Sequence, residues 1–159
     1  MILPILKHPT KSLHQRSVEI TTEELLQPDT QTFIDNMLDS LKAEKSGVGI
    51  ASPQVGTNKR IIVVDHDGER RVYVNPRITS TSSRTVEFEE GCLSVPNVWG
   101  IVRRFKKVHV KALDRKGKKI ELKVAGFDAI IFQHEIDHLD GILFIDRAER
   151  LTKNSSSAL

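Results

Sequence analysis

Residues 126–139 read GFDAIIFQHEIDHL and are followed by Asp140-Gly141, a helix stop, so we predict a helix over 126–139. In that helix His134 and His138 stand four residues apart. Their imidazoles then lie on one face and can reach the same metal ion. Glu135 follows His134 and can reach a water on that ion. The H-E-x-x-H pattern therefore predicts two metal ligands and a general base.

A second long helix is predicted from Pro28 to about residue 45, where apolar residues recur at helical spacing. Between the helices, short alternating runs are typical of strands, at 60–65, 71–75, 84–88, 107–113 and 118–124. Residues 1–27 are predicted to be mainly extended, and 142–145 to be a short apolar return. This order predicts an α+β fold, in which antiparallel strands carry a long N-terminal helix and a C-terminal metal-binding helix packed on the sheet.

The composition is that of one soluble globular domain, with 159 residues, a formal net charge of +3 and 38% apolar residues. We predict a single catalytic domain over 1–150 and a flexible tail over 151–159. One cysteine, without a signal peptide or a bilayer-spanning run, favours the cytoplasm, or an organelle matrix if a transit peptide has been removed. Basic residues are dispersed and lack interleaved aromatic residues, so neither a nucleic-acid nor a membrane partner is predicted.

The single cysteine, Cys92, is the best candidate for a third metal ligand. A catalytic metal takes three protein ligands and leaves one position open. No histidine follows His138, and Glu149 would have to reach back from the terminal segment. A thiolate is a strong ligand for zinc or ferrous iron, and a reducing compartment preserves it. The alternative is a small buried apolar residue, but the surrounding sequence at 90–96, EGCLSVP, is more typical of a turn.

Three segments resemble the signature motifs of peptide deformylases: GVGIASPQ at 47–54, EGCLS at 90–94 and QHEIDH at 133–138. The resemblance extends from about Ile5 to Ile145. It implies that Cys92 completes the ligand set with His134 and His138. It also implies one divalent metal ion, Fe²⁺ in the cell, with Zn²⁺, Ni²⁺ or Co²⁺ as alternatives in purified protein.

The resemblance further implies the reaction and the residues that perform it. The enzyme would remove the N-formyl group from the N-terminal formylmethionine of newly made polypeptides and release formate, with Glu135 as the base. The side-chain amide of Gln54 and the backbone N–H of Leu93 would donate hydrogen bonds to the oxyanion. The remaining expected substrate-binding residues are Gly49 and Gly91 beside the substrate backbone, Trp99 at the cleft edge, and an apolar methionine pocket of Val48, Phe88, Phe127, Ile130 and Ile131.

The predicted partners are nascent N-formylmethionyl polypeptides and, near the exit tunnel, the ribosome, and the protein itself is predicted to be a monomer. Two other functions stay open on the residues alone. A zinc peptidase would share the H-E-x-x-H residues but would not need Cys92 or Gln54. A non-catalytic binding module with a structural metal would close the fourth ligand position with another ligand.

Overall fold

The structure is a computed structural model that describes residues 1–152. The helices of this part of the chain are α1 (Thr22–Leu25), α2 (Pro28–Ala43), α3 (Gly126–Leu139) and α4 (Phe144–Arg147). Its strands are β1 (Gly49–Ala51), β2 (Ile61–His66), β3 (Glu69–Thr81), β4 (Thr85–Cys92), β5 (Val95–Phe105), β6 (Lys107–Leu113), β7 (Lys119–Ala125) and β8 (Arg150–Thr152). Single turns of 3-10 helix lie at Lys11–His14 and Ser52–Val55.

The strands form two antiparallel sheets. The large sheet has the order β1-β2-β3-β6-β7, and the small sheet has the order β4-β5-β8. Every strand pairing in both sheets is antiparallel. Hairpins connect β2 to β3, β4 to β5 and β6 to β7, so most pairings join neighbours along the chain.

Strand β2 places the two long helices on opposite faces of the large sheet. Successive side chains of a strand point to opposite faces. Ile61 and Val63 therefore pack in one apolar cluster with α2, and Ile62 and Val64 pack in another with α3. All four side chains are buried, which is why β2 reads as an unbroken apolar run. The predicted α+β fold, with a long N-terminal helix and a C-terminal helix packed on the sheet, is confirmed.

Helix α3 is buried on nearly all sides because it lies between the two sheets. It contacts β1 and β2 of the large sheet and β5 of the small sheet, and every residue from Ala129 to Leu139 is buried. The helix has the predicted bounds and ends before Gly141, whose φ of 76° is the left-handed conformation that glycine adopts readily. Polar residues on such a helix must find partners inside the protein or bind something there.

Besides the unpredicted short strand β1 and the greater length of β3, the structure differs from the sequence prediction in three places. Strand β5 was not predicted, and it forms a long hairpin with β4, which extends the predicted strand at 84–88 to Cys92. The predicted apolar return at 142–145 is instead the start of α4, where Asp146 accepts a 2.8 Å hydrogen bond from the Leu143 N–H. The first two residues of the predicted tail belong to β8, and its remainder, 153–159, lies outside the described residues.

Across residues 1–152, no helix has the length and apolar character needed to span a bilayer.

The core around α3 predicts a large stability difference between two phenylalanines of that helix. Phe132 is fully buried, with its ring edge-on to Tyr73 at 4.9 Å between ring centres, whereas Phe127 is 45% exposed. Phe132→Ala should lower the free energy of unfolding by about 3–5 kcal/mol, because it leaves a cavity in the core. The matched change Phe127→Ala should cost clearly less. Urea unfolding at equal metal loading measures both, and equal losses would contradict this description of the core.

Candidate active site

Three side chains form a candidate metal site between α3 and the end of β4. The ligand atoms of Cys92, His134 and His138 all lie within 4.8 Å of one another, and all three residues are buried. The Sγ of Cys92 is 3.3 Å from Nε2 of His138. The Nε2 of His134 is buried and has no hydrogen-bond partner within residues 1–152. A thiolate, two imidazoles and a buried nitrogen without a partner fit a borderline-soft divalent cation.

Cys92 reaches this position because the chain turns directly after it. It is the last residue of β4 and pairs with Val95, so Leu93 and Ser94 form the two-residue turn. The register of the hairpin shifts between Glu90 and Cys92. Cys92 is only 3% exposed and packs among apolar residues of the small sheet. The sequence left two interpretations of Cys92: a buried apolar residue, or a metal ligand in a turn. The structure combines them, because Cys92 is buried, directly precedes the turn and faces the histidines.

Glu90 fixes the orientation of His134. The Nδ1 of His134 lies 2.8 Å from Oε1 of Glu90. Burial alone would raise the pKa of the Glu90 carboxyl, but hydrogen bonds from Arg104 and His134 outweigh burial and lower this pKa to about 2. Because Glu90 is therefore a carboxylate, Nδ1 of His134 carries the proton and donates it. Nε2 is then the nitrogen available to a metal ion. A carboxylate that accepts from the other ring nitrogen fixes the orientation of many metal-binding histidines in this way.

A buried network of charged side chains extends from Glu90 to the surface. Arg104 donates two hydrogen bonds to Glu90, of 2.7 and 2.8 Å, and a third of 2.6 Å to Asp137. Asp137 also accepts two hydrogen bonds from Arg147, whose side chain is 46% exposed. None of these four residues has a role predicted from the sequence. Glu90 lies two residues before Cys92, and Asp137 lies directly before His138. This proximity to the predicted ligands is a signal in the sequence that could have identified both residues.

Glu135 has a carboxylate with no partner among the described residues. Both of its oxygens are buried and lack a hydrogen bond, and burial raises the pKa of its carboxyl to about 7. A Cβ added at Gly49 would lie 2.7 Å from Oε1 of Glu135. Only glycine leaves room for the carboxylate at that position. Burial also disfavours the charged form of His138 and so lowers its pKa. This favours the neutral imidazole that a metal ligand requires.

The amide of Gln54 connects the first motif to the cysteine hairpin. Its Oε1 accepts a 2.9 Å hydrogen bond from the backbone N–H of Ala51. Its Nε2 donates to Oγ of Ser94 at 3.1 Å and to Sγ of Cys92 at 3.6 Å. Gln54 is fully buried, and its amide nitrogen points to the ligand set. Leu93, the other predicted oxyanion donor, follows Cys92 directly in the hairpin turn.

Four of the five predicted methionine-pocket residues lie in one apolar cluster, and the fifth, Phe127, contacts one of them. Ile130 and Ile131 are buried in the core between α3 and the large sheet, with Val48 and Phe88 packed against that core. Phe127 is more exposed, and its ring lies 5.5 Å from that of Phe88. Their role in binding substrate stays a prediction.

Trp99 lies across the cysteine hairpin. A Cβ added at Gly91 would lie 2.7 Å from the Trp99 ring, so the ring occupies the space above that glycine. Trp99, Cys92 and Leu93 are among the residues that line a cleft of about 220 Å³, and Lys7 lies at the same cleft. This cleft gives access from the surface to the cysteine. The predicted contacts of Gly91 and Gly49 with a substrate backbone stay predictions.

Three candidate metal ligands lie beside a buried carboxylate that has no partner among residues 1–152, an arrangement typical of metal-dependent hydrolases. The chain belongs to the polypeptide deformylase family, whose family model matches residues 2–154.

Relatives with known names and structures agree with this assignment. The chain is 44% identical to a peptide deformylase of Symbiobacterium thermophilum over 153 residues, which cover 94% of this chain and 68% of that protein. It is 43% identical to peptide deformylase 2 of Vibrio cholerae over 148 residues, or 91% and 85% of the two chains. The actinonin-bound structure of a class I type b peptide deformylase from Acinetobacter baumannii has a TM-score of 0.87 at 40% identity, covering 94% of this chain and 99% of that one.

The contact between Glu90 and His134 predicts a loss of metal affinity when the carboxylate is removed. Glu90→Gln should weaken metal binding by about 10–100-fold, because the amide no longer holds Nδ1 of His134 as a charged acceptor. Competition with a chromophoric chelator measures the affinity, with thermal unfolding followed in parallel.

A matched control for that change lies on the same strand. Glu87 is 44% exposed and accepts a 2.7 Å hydrogen bond from Arg103. Glu87→Gln therefore removes a carboxylate paired with an arginine, but at the surface and away from the ligands. Its metal affinity should equal that of the unchanged protein. Equal affinities for all three proteins would mean that Glu90 does not act through His134.

Proposed function

We propose that this protein is a peptide deformylase, which hydrolyses the N-formyl group of the N-terminal formylmethionine of newly made polypeptides and releases formate. The observation that carries the proposal is the contact of Gln54 with Cys92 beside the two histidines and Glu135. This arrangement joins all three sequence motifs at one point. Membership of the polypeptide deformylase family supports the same reaction.

We infer that Cys92, His134 and His138 hold one divalent ion, and that this ion is Fe²⁺ in the cell. Zn²⁺, Ni²⁺ and Co²⁺ suit the same sulfur and nitrogen ligands, so they are the expected substitutes in purified protein. When bound, the ion supplies Lewis acidity and lowers the pKa of a water at its open position.

Glu135 acts as the general base and then as the general acid. Its carboxylate accepts the proton of the attacking water and later delivers a proton to the departing amine. Two features of the structure suit this role. Its oxygens have no competing hydrogen bond, and the absent side chain of Gly49 leaves the carboxylate room.

Gln54 and Leu93 stabilise the negative charge that develops on the formyl oxygen. The bond from the Ala51 N–H fixes the Gln54 amide, so that its nitrogen faces the ligands without further rearrangement. A donor oriented in advance stabilises a transition-state charge more than one that must reorient. The backbone N–H of Leu93 is the second donor, and it is placed by the turn that follows Cys92.

The substrate methionine binds in the apolar pocket of Val48, Phe88, Phe127, Ile130 and Ile131, and the substrate backbone lies beside Gly49 and Gly91 as an added strand. Trp99 contacts the residues that follow the methionine. The enzyme acts as a monomer in the cytoplasm on nascent chains at the ribosome. A zinc peptidase or a non-catalytic metal module would not require the Gln54–Cys92 contact, so that contact favours the deformylase.

The deformylase activity is tested by formate release from formyl-Met-Ala-Ser, with Glu135→Gln as the decisive variant. This change keeps the shape of the side chain but removes the proton acceptor. Turnover should fall by on the order of 10²–10⁴, the usual contribution of a positioned general base. Metal content, assayed in protein prepared without oxygen and expected to be iron, should not change. A variant that keeps more than about a tenth of the turnover would exclude Glu135 as the base.

Gln54 distinguishes a deformylase from other H-E-x-x-H hydrolases. Gln54→Ala should lower kcat by roughly 10²–10³ with a smaller change in KM, because the lost hydrogen bond strengthens only in the transition state. Metal content should stay at the level of the unchanged protein, since Gln54 is not a ligand. Steady-state kinetics on formyl-Met-Ala-Ser with parallel metal analysis measure both quantities.

Ser94→Ala provides the control for that experiment. It removes the hydroxyl that accepts from Gln54 but leaves the amide itself in place. Its kcat should therefore fall much less than that of Gln54→Ala. The oxyanion role of Gln54 is wrong if both variants lose the same activity, or if the loss in Gln54→Ala follows loss of the metal.

A further inference from the structure

The large sheet has one face that is only partly covered, and this face is basic. Helix α2 packs on β1 and β2, and its cover ends at Leu113, which packs against the α2 cluster. Beyond that point the same side of β3, β6 and β7 is open to solvent. We call it the basic face, and it carries Arg77, Lys107, His109, Lys111, Lys119 and Lys123.

Strand register places these residues on one side of the sheet. Directly paired residues of antiparallel strands point to the same face. Arg77 pairs with Lys111, and Lys123 pairs with His109. Lys119 pairs with Leu113, whose side chain faces α2. Residues that are dispersed along the sequence are thus gathered by the pairing of three strands, which explains why composition alone gave no sign of them.

Most of these cations have no internal partner. Two acidic residues lie at the face. Glu121 is 3.4 Å from Nζ of Lys111 and 3.6 Å from Nε2 of His109, and Glu19 lines the same concave surface as Arg77 and Lys119. Over residues 1–152, neither Arg77, Lys107, Lys119 nor Lys123 forms an ion pair, and all four are exposed. The face therefore has a clear excess of positive charge, although the whole chain has a formal net charge of only +3.

Protection of a sheet edge does not explain the whole face. Lysines on an edge strand commonly block unwanted pairing with another strand. Lys119 and Lys123 lie on the edge strand β7, so this purpose fits them. Lys107 and Lys111 lie on the inner strand β6, which is paired on both sides, so no edge needs protection there. Arg77 lies on β3 beyond Val74, the last residue of that strand that pairs with β2.

We propose that the basic face docks on the phosphate backbone of double-helical RNA. Two-residue steps along β6 place Lys107, His109 and Lys111 over about 14 Å, and three strands span about 10 Å. A nucleic-acid duplex carries about eight phosphates over such a length, of which roughly half face one side, whereas an extended acidic peptide presents only two or three side chains on one face. The duplex therefore matches the density of cations better.

The side chains of the basic face also make single-stranded nucleic acid and membranes poorer partners than a duplex. Apart from the single imidazole of His109, the basic face carries no aromatic ring and no exposed large apolar side chain among residues 1–152. It therefore offers neither a platform for stacking successive bases nor a group that inserts into a membrane. Contacts to phosphates alone are independent of base sequence. The choice of RNA rests on the proposed function, because a nascent chain emerges from a particle rich in RNA. The face lies on the opposite side of the sheet from α3, so docking leaves the ligands of α3 uncovered.

Binding to a mixed-sequence RNA duplex of about 20 base pairs tests the proposal, measured by fluorescence anisotropy at several salt concentrations. The triple variant Lys107→Glu, Lys119→Glu and Lys123→Glu should bind at least about tenfold more weakly. The slope of the logarithm of its binding constant against the logarithm of salt concentration should be smaller in magnitude by about two to three units. A second triple variant, with glutamine at the same positions, should show the same direction with less strain on the fold. Circular dichroism confirms that each variant is folded.

A control variant with the same change in net charge distinguishes an effect of the basic face from an effect of the overall charge. The triple variant Lys11→Glu, Lys42→Glu and Lys45→Glu changes exposed lysines away from the face by the same total charge. Its RNA affinity should stay within about twofold of that of the unchanged protein. Absence of salt-dependent binding by the unchanged protein, or equal weakening by the two Glu triples, would overturn the proposal. So would tighter face-dependent binding of polyglutamate or anionic vesicles than of RNA.

The same variants keep this proposal separate from the deformylase activity. Formate release from free formyl-Met-Ala-Ser should be unchanged in the Lys107, Lys119 and Lys123 variants, because none of these residues is near the ligand set. Loss of RNA binding with normal formate release is the expected result. RNA binding without formate release in the unchanged protein would instead refute the proposed function and leave the basic face intact.

Discussion

The arrangement of the site depends on the carboxylate of Glu90. This side chain is fully buried on the small sheet, and it binds both Arg104 of the same sheet and His134 of α3. Removing two charges from water is costly, and such a pair adds little net stability compared with apolar residues. The main contribution of Glu90 is to fix the positions of the groups around it. It sets the proton of His134 on Nδ1 and holds the sheet that ends in Cys92 against the helix that carries the histidines. Asp137 and Arg147 continue the alternation of charge to the surface, so no member of the network is left uncompensated.

Signals that act over a few residues were sufficient to predict α3, β6 and the shared face of His134 and His138. The helix ends at a glycine, the strand alternates, and His134 and His138 share a face because four residues span about one helical turn. Strand β5 was missed because Pro96, Asn97 and Gly100 interrupt any alternation. Its backbone partners come from β4 and β8, which sequence patterns do not indicate. The pairing of Glu90 with Arg104 was missed for the same reason, since charged residues in a strand more often face solvent.

Burial does not exclude Cys92 or Gln54 from the candidate metal site. From the sequence, Cys92 was either a residue packed in the core or a metal ligand. In the structure both Cys92 and Gln54 are buried, and both have polar atoms directed to the same point. A site enclosed by apolar residues strengthens each electrostatic interaction within it. The low polarity around Glu135, which raises the pKa of its carboxyl, has the same origin.

The short strand β8 matters to anyone who handles this protein. Thr152 pairs with Trp99, and Arg150 pairs with Ile101, so the end of the described chain forms the outer border of the sheet that walls the cleft. A fusion joined directly after Thr152 would therefore lie at that border. Truncation before Arg150 would leave the N–H and C=O groups of β5 that face β8 bare, which invites pairing with other chains.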